Sequence, residues 1–333
     1  MTSFEIAQSH FQESTGFIPS EVAELKTGGN NRSFTCAFKK NKYVVKYYYK
    51  ENNADHSRLL TEWNFLLFLK SINERQVPLP ILKNEKKGFL IYSYLTGKKI
   101  SGKPSVLFID KSADFITRIN SEKAVALSKN ISLASEAAFT IEKFISLTEK
   151  KIDLLCDVPS EEAPQVFELI KTVIDTFNML KLKSPDIFQF HDEQGELRCL
   201  SPSDFGTHNS LVGSNQNYQY LDFEYAGWDD PTKLILDLYL NPQSEIQKYE
   251  VNRFLMHLIL PKISNRILLQ RCEILYPFAV LRWICIVLNI FQRPRQARII
   301  FANPDLEIDL LKKQQYEKAE LLLSKLNSNP FTR

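Results

Sequence analysis

The sequence of 333 residues is poor in glycine and cysteine, and it has no excess of charge of one sign. Its ten glycines make up about 3% of the chain, whereas about 7% is usual. Five widely spaced cysteines without CxxC spacing argue against a disulfide scaffold and a cysteine zinc site. Forty-two basic and 39 acidic residues are spread along the chain, so we expect no nucleic-acid partner.

Targeting and membrane signals are also weak. The N-terminal segment MTSFEIAQSHFQES has neither the basic start nor the apolar run of a signal peptide. The apolar stretch 274–291 contains Pro277 and Arg282, which favours a buried core helix over a membrane span. Together with the unpaired cysteines, these features predict a cytoplasmic protein without a membrane span.

The hydrophobic pattern changes along the chain from strand-like to helical. Segments 32–39 and 42–49 are β-branched and aromatic runs joined by a tight polar turn, which indicates a β-hairpin. Segment 57–72 has helical spacing, and 88–95 is again strand-like. Helices are predicted over 105–118, 133–152, 162–182, 244–260, 264–292 and 305–327, with a β-rich island at 197–223. This order indicates an α+β chain of two lobes, residues 1–96 and 97–333, with a cleft between them.

The β-rich island contains three polar residues suited to phosphoryl transfer. Asp204 and Asn209 are five residues apart in SPSDFGTHNSLV, and Asp222 follows in YQYLDFEYAGWDDP. A turn and a short hairpin would bring the three side chains together. Amide and carboxylate oxygens are ligands for Mg²⁺, and a further carboxylate could accept a hydroxyl proton.

The Asp-x4-Asn spacing followed by LDFEYAGWDDP resembles the aminoglycoside phosphotransferase and choline kinase group of small-molecule kinases. The resemblance spans about residues 25–240. It implies a protein-kinase-like fold with a small β-rich N-terminal lobe and a large, mainly helical C-terminal lobe. It also implies ATP and Mg²⁺ as cofactors, Asp204 as the catalytic residue, and Asn209 and Asp222 as metal ligands.

The same resemblance implies a set of nucleotide-binding residues in the first hundred positions. TGGNNRSF resembles the nucleotide loop of the group, Lys46 its phosphate-binding lysine, Glu62 the ion-pair partner of that lysine, and IYSYLTG the adenine-binding hinge. The expected cofactor-binding residues are Gly28, Gly29, Asn31, Ser33, Lys46, Glu62, Ser93 and Leu95, with Ser93 acting through its carbonyl and Leu95 through its amide.

The catalytic loop departs from the pattern of the group. Pro202 and Gly206 stand where histidines are common, and His208 lies beside Asn209 instead. His208 could position the loop, or it could be an ordinary loop histidine. Because Asp204, Asn209 and Asp222 are retained, we interpret the chain as a divergent enzyme.

The sequence indicates less about the molecule that accepts the phosphoryl group than about the nucleotide site. A small-molecule hydroxyl, preferably on a sugar or glycan precursor, is the first hypothesis, and choline, ethanolamine or an aminoglycoside the alternative. Two further hypotheses stay open, namely a kinase that acts on protein and a nucleotide-binding protein without turnover. The cluster Arg293, Arg295 and Arg298 could meet an acceptor phosphate or carboxylate, or it could be a solvated helix end. The oligomeric state is not indicated.

Overall fold

The computed structural model describes residues 2–25, 29–49, 57–156, 158, 163–183 and 197–332. Its N-terminal part contains a five-stranded antiparallel sheet of order β1-β2-β3-β5-β4. The elements are α1 (Ser3–Thr15), β1 (Glu21–Leu25), β2 (Asn31–Phe38), β3 (Asn41–Tyr48), α2 (Arg58–Ser71), β4 (Pro80–Asn84) and β5 (Phe89–Ser93). The predicted hairpin, helix and strand in this part are confirmed.

The sheet has a small core of its own. Cys36 of β2, Val45 of β3 and Phe89 of β5 are fully buried against Phe11 of α1. In α1, Thr2 accepts a hydrogen bond from the Glu5 amide at 3.3 Å, and Glu5 accepts one from the Thr2 amide at 2.7 Å. This reciprocal capping starts a helix that our sequence reading missed.

The C-terminal part is mainly helical. Its helices are α3 (Val106–Ile119), α4 (Glu122–Leu127), α5 (Ile141–Leu155), α6 (Pro164–Lys183), α7 (Pro231–Leu240), α8 (Lys248–His257), α9 (Asn265–Leu288), α10 (Arg293–Ala302) and α11 (Ile308–Ser324). Its short strands are β6 (Lys98–Lys99), β7 (Cys199–Ser201), β8 (Ser210–Val212), β9 (Tyr218–Tyr220) and β10 (Gly227–Asp229). The predicted β-rich island is therefore present.

Helix α9 forms the centre of the C-terminal core. The segment Asn265–Phe291 is long and apolar enough to cross a membrane, but 67% of its most apolar window is buried inside the protein. Arg282 extends from this helix to Asp237 at 2.8 Å and Glu136 at 3.0 Å, so the charge is paired at a polar seam. The interpretation of this segment as a core helix agrees with the structure.

The predicted helix 133–152 is wrong at its start. Thr140 caps α5 by accepting a hydrogen bond from the Lys143 amide at 3.1 Å, so the helix begins at Ile141. Residues 132–134 of the preceding segment bind β10, where the Trp228 amide donates to the Ser132 carbonyl and the Ala134 amide to the Trp228 carbonyl, both at 3.0 Å. A turn with Glu136 at positive φ follows, so the helix cannot begin before Thr140.

The close approach of β10 to this segment leads to a prediction about Gly227. A Cβ at Gly227 would lie 2.5 Å from both the Ser132 oxygen and the Ala134 nitrogen, which are backbone atoms. We expect Gly227→Ala to lower the free energy of unfolding by about 1–3 kcal/mol, since one strand must move. Urea denaturation measures the change.

Gly213→Ala is the matched control for this substitution. A Cβ at Gly213 would lie 3.3 Å from its closest neighbour, the Asn217 carbonyl oxygen, so a small shift accommodates it. We expect Gly213→Ala to destabilise the protein less than Gly227→Ala does. Equal losses in the two variants would contradict the close packing of β10.

Candidate active site

The buried lysine of β3 lies at the centre of the cleft between the two lobes. The Lys46 Nζ atom is 2.5 Å from Glu62 Oε2 on α2 and 2.8 Å from Asp222 Oδ1, which follows β9. The Tyr48 hydroxyl also donates to Glu62 at 2.5 Å. Burial opposes the charged ammonium, but Asp222 and Glu62 hold the pKa of Lys46 well above its usual value. The structure thus brings together three of the predicted site residues.

Glu224 is a fourth member of this cluster, and our sequence reading missed it. Its carboxylate is fully buried, lies 3.8 Å from Lys46 Nζ, and accepts a hydrogen bond of 2.6 Å from the Asn31 side chain. Burial, together with the charge of Asp222, raises the pKa of Glu224 to about 7. A signal was available in the sequence, because Glu224 is a second acidic residue only two positions after the predicted metal ligand Asp222.

The catalytic loop positions the Asp204 carboxylate at the floor of the cleft. His208 Nε2 lies 2.9 Å from Asp204 Oδ1, and the Asn241 amide of α7's C-terminal end lies 3.3 Å from the same oxygen. The Asn209 side-chain amide donates to the Asp204 carbonyl at 2.9 Å. Burial favours the neutral acid, but His208, Asn209 and Arg295 together hold the pKa of Asp204 below its usual range. The 36% of this side chain that remains exposed faces the cleft.

The departure at Gly206 has a physical explanation. A Cβ at Gly206 would collide with the Ser244 hydroxyl, so a larger residue there would force Ser244 to move away from its position beside His208. The Ser244 hydroxyl instead lies 3.2 Å from His208 Nδ1, while the other ring nitrogen contacts Asp204. Of the two readings left open for His208, the structure favours the one in which it holds the loop.

The oxygen atoms around Asp222 are compatible with a divalent cation. Glu62, Asp222 and Glu224 each offer a carboxylate oxygen, and these oxygens lie within 4.8 Å of one another. The Leu221 amide donates to the Asn209 carbonyl at 2.9 Å, which keeps Asn209 next to Asp222. Oxygen donors of this kind fit Mg²⁺. The metal-ligand roles of Asn209 and Asp222 stay predictions.

A cavity of about 1140 Å³ joins these groups to the predicted nucleotide-binding residues. Lining it are Gly29, Asn31, Ser33, Lys46, Ser93, Leu95, Asp204, Asn209 and Asp222. Glu62 reaches the cavity through its ion pair with Lys46. Gly28 lies outside the described residues. One cleft therefore brings together all the predicted site residues that the structure describes, and their roles in binding nucleotide stay predictions.

Comparison with known proteins identifies this architecture. No family model and no curated protein sequence matches the chain. Among solved structures it is similar to a choline kinase from Streptococcus pneumoniae, with 16% identity and a TM-score of 0.60 over 96% of this chain and 98% of that chain. It is equally similar to a spectinomycin phosphotransferase solved with ADP and spectinomycin, with 13% identity and a TM-score of 0.60 over 96% and 98% of the two chains.

A third similar structure is an ethanolamine kinase from Plasmodium vivax, with 13% identity and a TM-score of 0.57 over 92% of this chain and 84% of that chain. At these identities the likeness shows the fold. The chain has the α+β, two-lobed, protein-kinase-like fold that the sequence predicts, with a small sheet lobe and a helical lobe.

The raised pKa of Glu224 predicts a specific pH dependence of stability. Because this pKa is about 7 in the folded protein and 4.5 is the ordinary value, the folded state holds a proton that the unfolded chain loses between these pH values. The stabilisation that this bound proton gives is complete below pH 4.5, and it is lost as the pH rises through about 7. We expect Glu224→Gln to be more stable than the wild type at about pH 8, by about 1–3 kcal/mol, with the difference shrinking towards about pH 5.

Urea denaturation without nucleotide or Mg²⁺ at both pH values measures this difference. Glu317→Gln, on the exposed face of α11, removes one negative charge without touching the cleft and serves as the control. A stability difference between Glu224→Gln and the wild type that did not change with pH would contradict the assignment.

Proposed function

We propose that this protein is an ATP- and Mg²⁺-dependent kinase that transfers a phosphoryl group to a hydroxyl of a small molecule. The observation that carries the proposal is the placement of the Asp204 carboxylate, oriented by His208, in the same cleft as Lys46 and Asp222. The likeness in fold to small-molecule kinases supports it. An oriented catalytic carboxylate favours turnover over nucleotide binding alone.

Each group in the cleft has a role in this reaction. Lys46, held by Glu62, would bind phosphate oxygens of the nucleotide. Asn209 and Asp222 would hold Mg²⁺, which neutralises the charge that develops on the phosphoryl oxygens. Asp204 would orient the acceptor hydroxyl and accept its proton as the new bond forms. The low pKa of Asp204 keeps its carboxylate ionised, and therefore able to accept that hydrogen bond, at neutral pH.

For the acceptor we propose an uncharged hydroxyl compound such as a sugar or a polyol. The part of the cleft beyond Asp204 contains two carboxylates, Glu136 and Asp237, and both are paired with cations. Burial opposes the charge of Glu136, but Arg282 and Lys151 hold its pKa at about 2. A cationic acceptor such as choline, ethanolamine or an aminoglycoside would have to displace these partners.

We also place the protein in the cytoplasm. All five cysteines are free, and Cys36, Cys199, Cys272 and Cys285 are buried. This use of cysteine is typical of a reducing compartment.

The substitution Asp204→Asn tests the proposed reaction. We expect it to lower the transfer rate by at least about 10²-fold, because the amide cannot accept the hydroxyl proton, while the affinity for Mg²⁺-ATP stays within about twofold. ADP release is followed with a panel of sugars, polyols, amino-alcohols and aminoglycosides, and ATP affinity is measured by calorimetry.

Asp305→Asn, at an exposed position after α10, is the control and should behave as the wild type. Wild-type turnover in Asp204→Asn would contradict the catalytic assignment. Turnover of the wild type with choline or an aminoglycoside, but with no sugar or polyol, would contradict the proposed acceptor class.

His208→Ala tests whether His208 acts through Asp204. In this variant the Asp204 carboxylate loses its 2.9 Å contact with His208 and is no longer held in one orientation. We therefore expect kcat to fall by about 10–100-fold while the KM for ATP is unchanged. His208→Gln retains a side-chain donor and should recover part of the rate. A rise in the KM for ATP with unchanged kcat would contradict a role in positioning Asp204.

A further inference from the structure

Helix α10 is not a solvated helix end but a contact between the C-terminal lobe and the nucleotide loop. It packs against β2, and a Cβ at Gly29 would lie 3.5 Å from the Ile299 side chain. At its C-terminal end, the Phe301 ring meets the Tyr49 ring edge-on, with centroids 5.3 Å apart. The helix therefore covers one side of the cleft beside Gly29 and Tyr49.

Arg295 projects from this helix into the cleft. One guanidinium nitrogen donates to the Asn30 side-chain oxygen, and the other lies 4.0 Å from the position that a Cβ of Gly29 would take. The Asn30 amide in turn donates to Glu224 Oε1 and to the Tyr225 hydroxyl, both at 3.2 Å. Two hydrogen bonds thus connect Arg295 to the carboxylates around Lys46.

The positive charge of Arg295 is not neutralised by a direct partner. Within the described residues no carboxylate forms an ion pair with it, and its partner Asn30 is an uncharged amide. The buried side chains of Arg282 and Arg271 differ from that of Arg295, because each of them forms an ion pair with a carboxylate. Burial lowers the pKa of Arg295, while the charges of Glu224 and Asp204 oppose that shift from either side of the cleft.

A partly buried, unpaired guanidinium beside a nucleotide loop and a catalytic carboxylate suits a phosphoryl group. Its planar set of donors can bind two phosphoryl oxygens at once. We propose that Arg295 binds the transferring γ-phosphoryl group and that Asn30 holds the guanidinium when no nucleotide is bound. This inference rests on the proposed kinase function and assigns to α10 a direct part in the reaction.

The test compares nucleotides that differ in the γ-phosphoryl group. Calorimetry with Mg²⁺ gives the Kd of ADP and of the non-hydrolysable ATP analogue AMP-PNP for the purified protein. We expect Arg295→Ala to weaken AMP-PNP binding by about 10–100-fold, the range for a hydrogen bond to a charged group, and ADP binding by no more than about twofold. Arg295→Lys retains the charge but not the paired donors, and should fall between.

Arg293→Ala removes an exposed arginine from the same helix and is the control. If Arg295→Ala weakened the binding of ADP and AMP-PNP equally, or weakened neither, the γ-phosphoryl role would be overturned. Arg295 would then serve only to hold α10 against Asn30. These outcomes differ from failure of the proposed function, in which the wild type would bind neither nucleotide, or would bind both and transfer phosphate to no acceptor of the panel. Arg295→Lys supplies the same comparison if Arg295→Ala does not fold.

Discussion

The buried charge of Lys46 is the constraint on which the rest of the site depends. An ammonium removed from water needs carboxylate partners, and loss of one partner from such a pair costs about 3–5 kcal/mol. Its partners Glu62 and Asp222 come from α2 and from the segment after β9, so one ion cluster joins the two lobes. Three carboxylates surround Lys46, and Arg58 lies 3.5 Å from Glu224, so one negative charge remains in excess. Burial and the nearby charge of Asp222 together raise the pKa of Glu224. This remaining negative charge favours the binding of a further cation beside the three carboxylates.

Much of this cluster could be predicted from the sequence because its signals are local. Lys46 lies in the strand-like segment 42–49, Glu62 lies in the helical segment 57–72 that follows it, and Asp204, Asn209 and Asp222 fall within nineteen positions of one another. Each of these signals needs only a short window and the order of the segments along the chain. A resemblance in motif then supplied the roles that composition alone could not supply.

The parts that escaped prediction depend on residues distant in the sequence. The sequence leaves both interpretations of His208 open, because Ser244 and Asn241, which face it, lie more than thirty positions later. It likewise leaves open whether Arg295 is solvated or binds an anionic group, because it does not show that Asn30 lies against α10. The start of α5 was misplaced for the same reason, since the segment before it pairs with β10, almost a hundred positions later, at Leu133 and Trp228.

The position of α10 also determines how the cleft can open. On one side the lobes are joined by the chain after β5, whose strand β6 pairs with β8 of the catalytic island. On the opposite side they are joined by the contacts of α10 with Gly29, Asn30 and Tyr49. The two lobes are therefore in contact at two separate places. Separating them on the α10 side would break the hydrogen bond between Arg295 and Asn30 and part the Phe301 and Tyr49 rings, so opening there costs these contacts as well as a bend in the chain after β5.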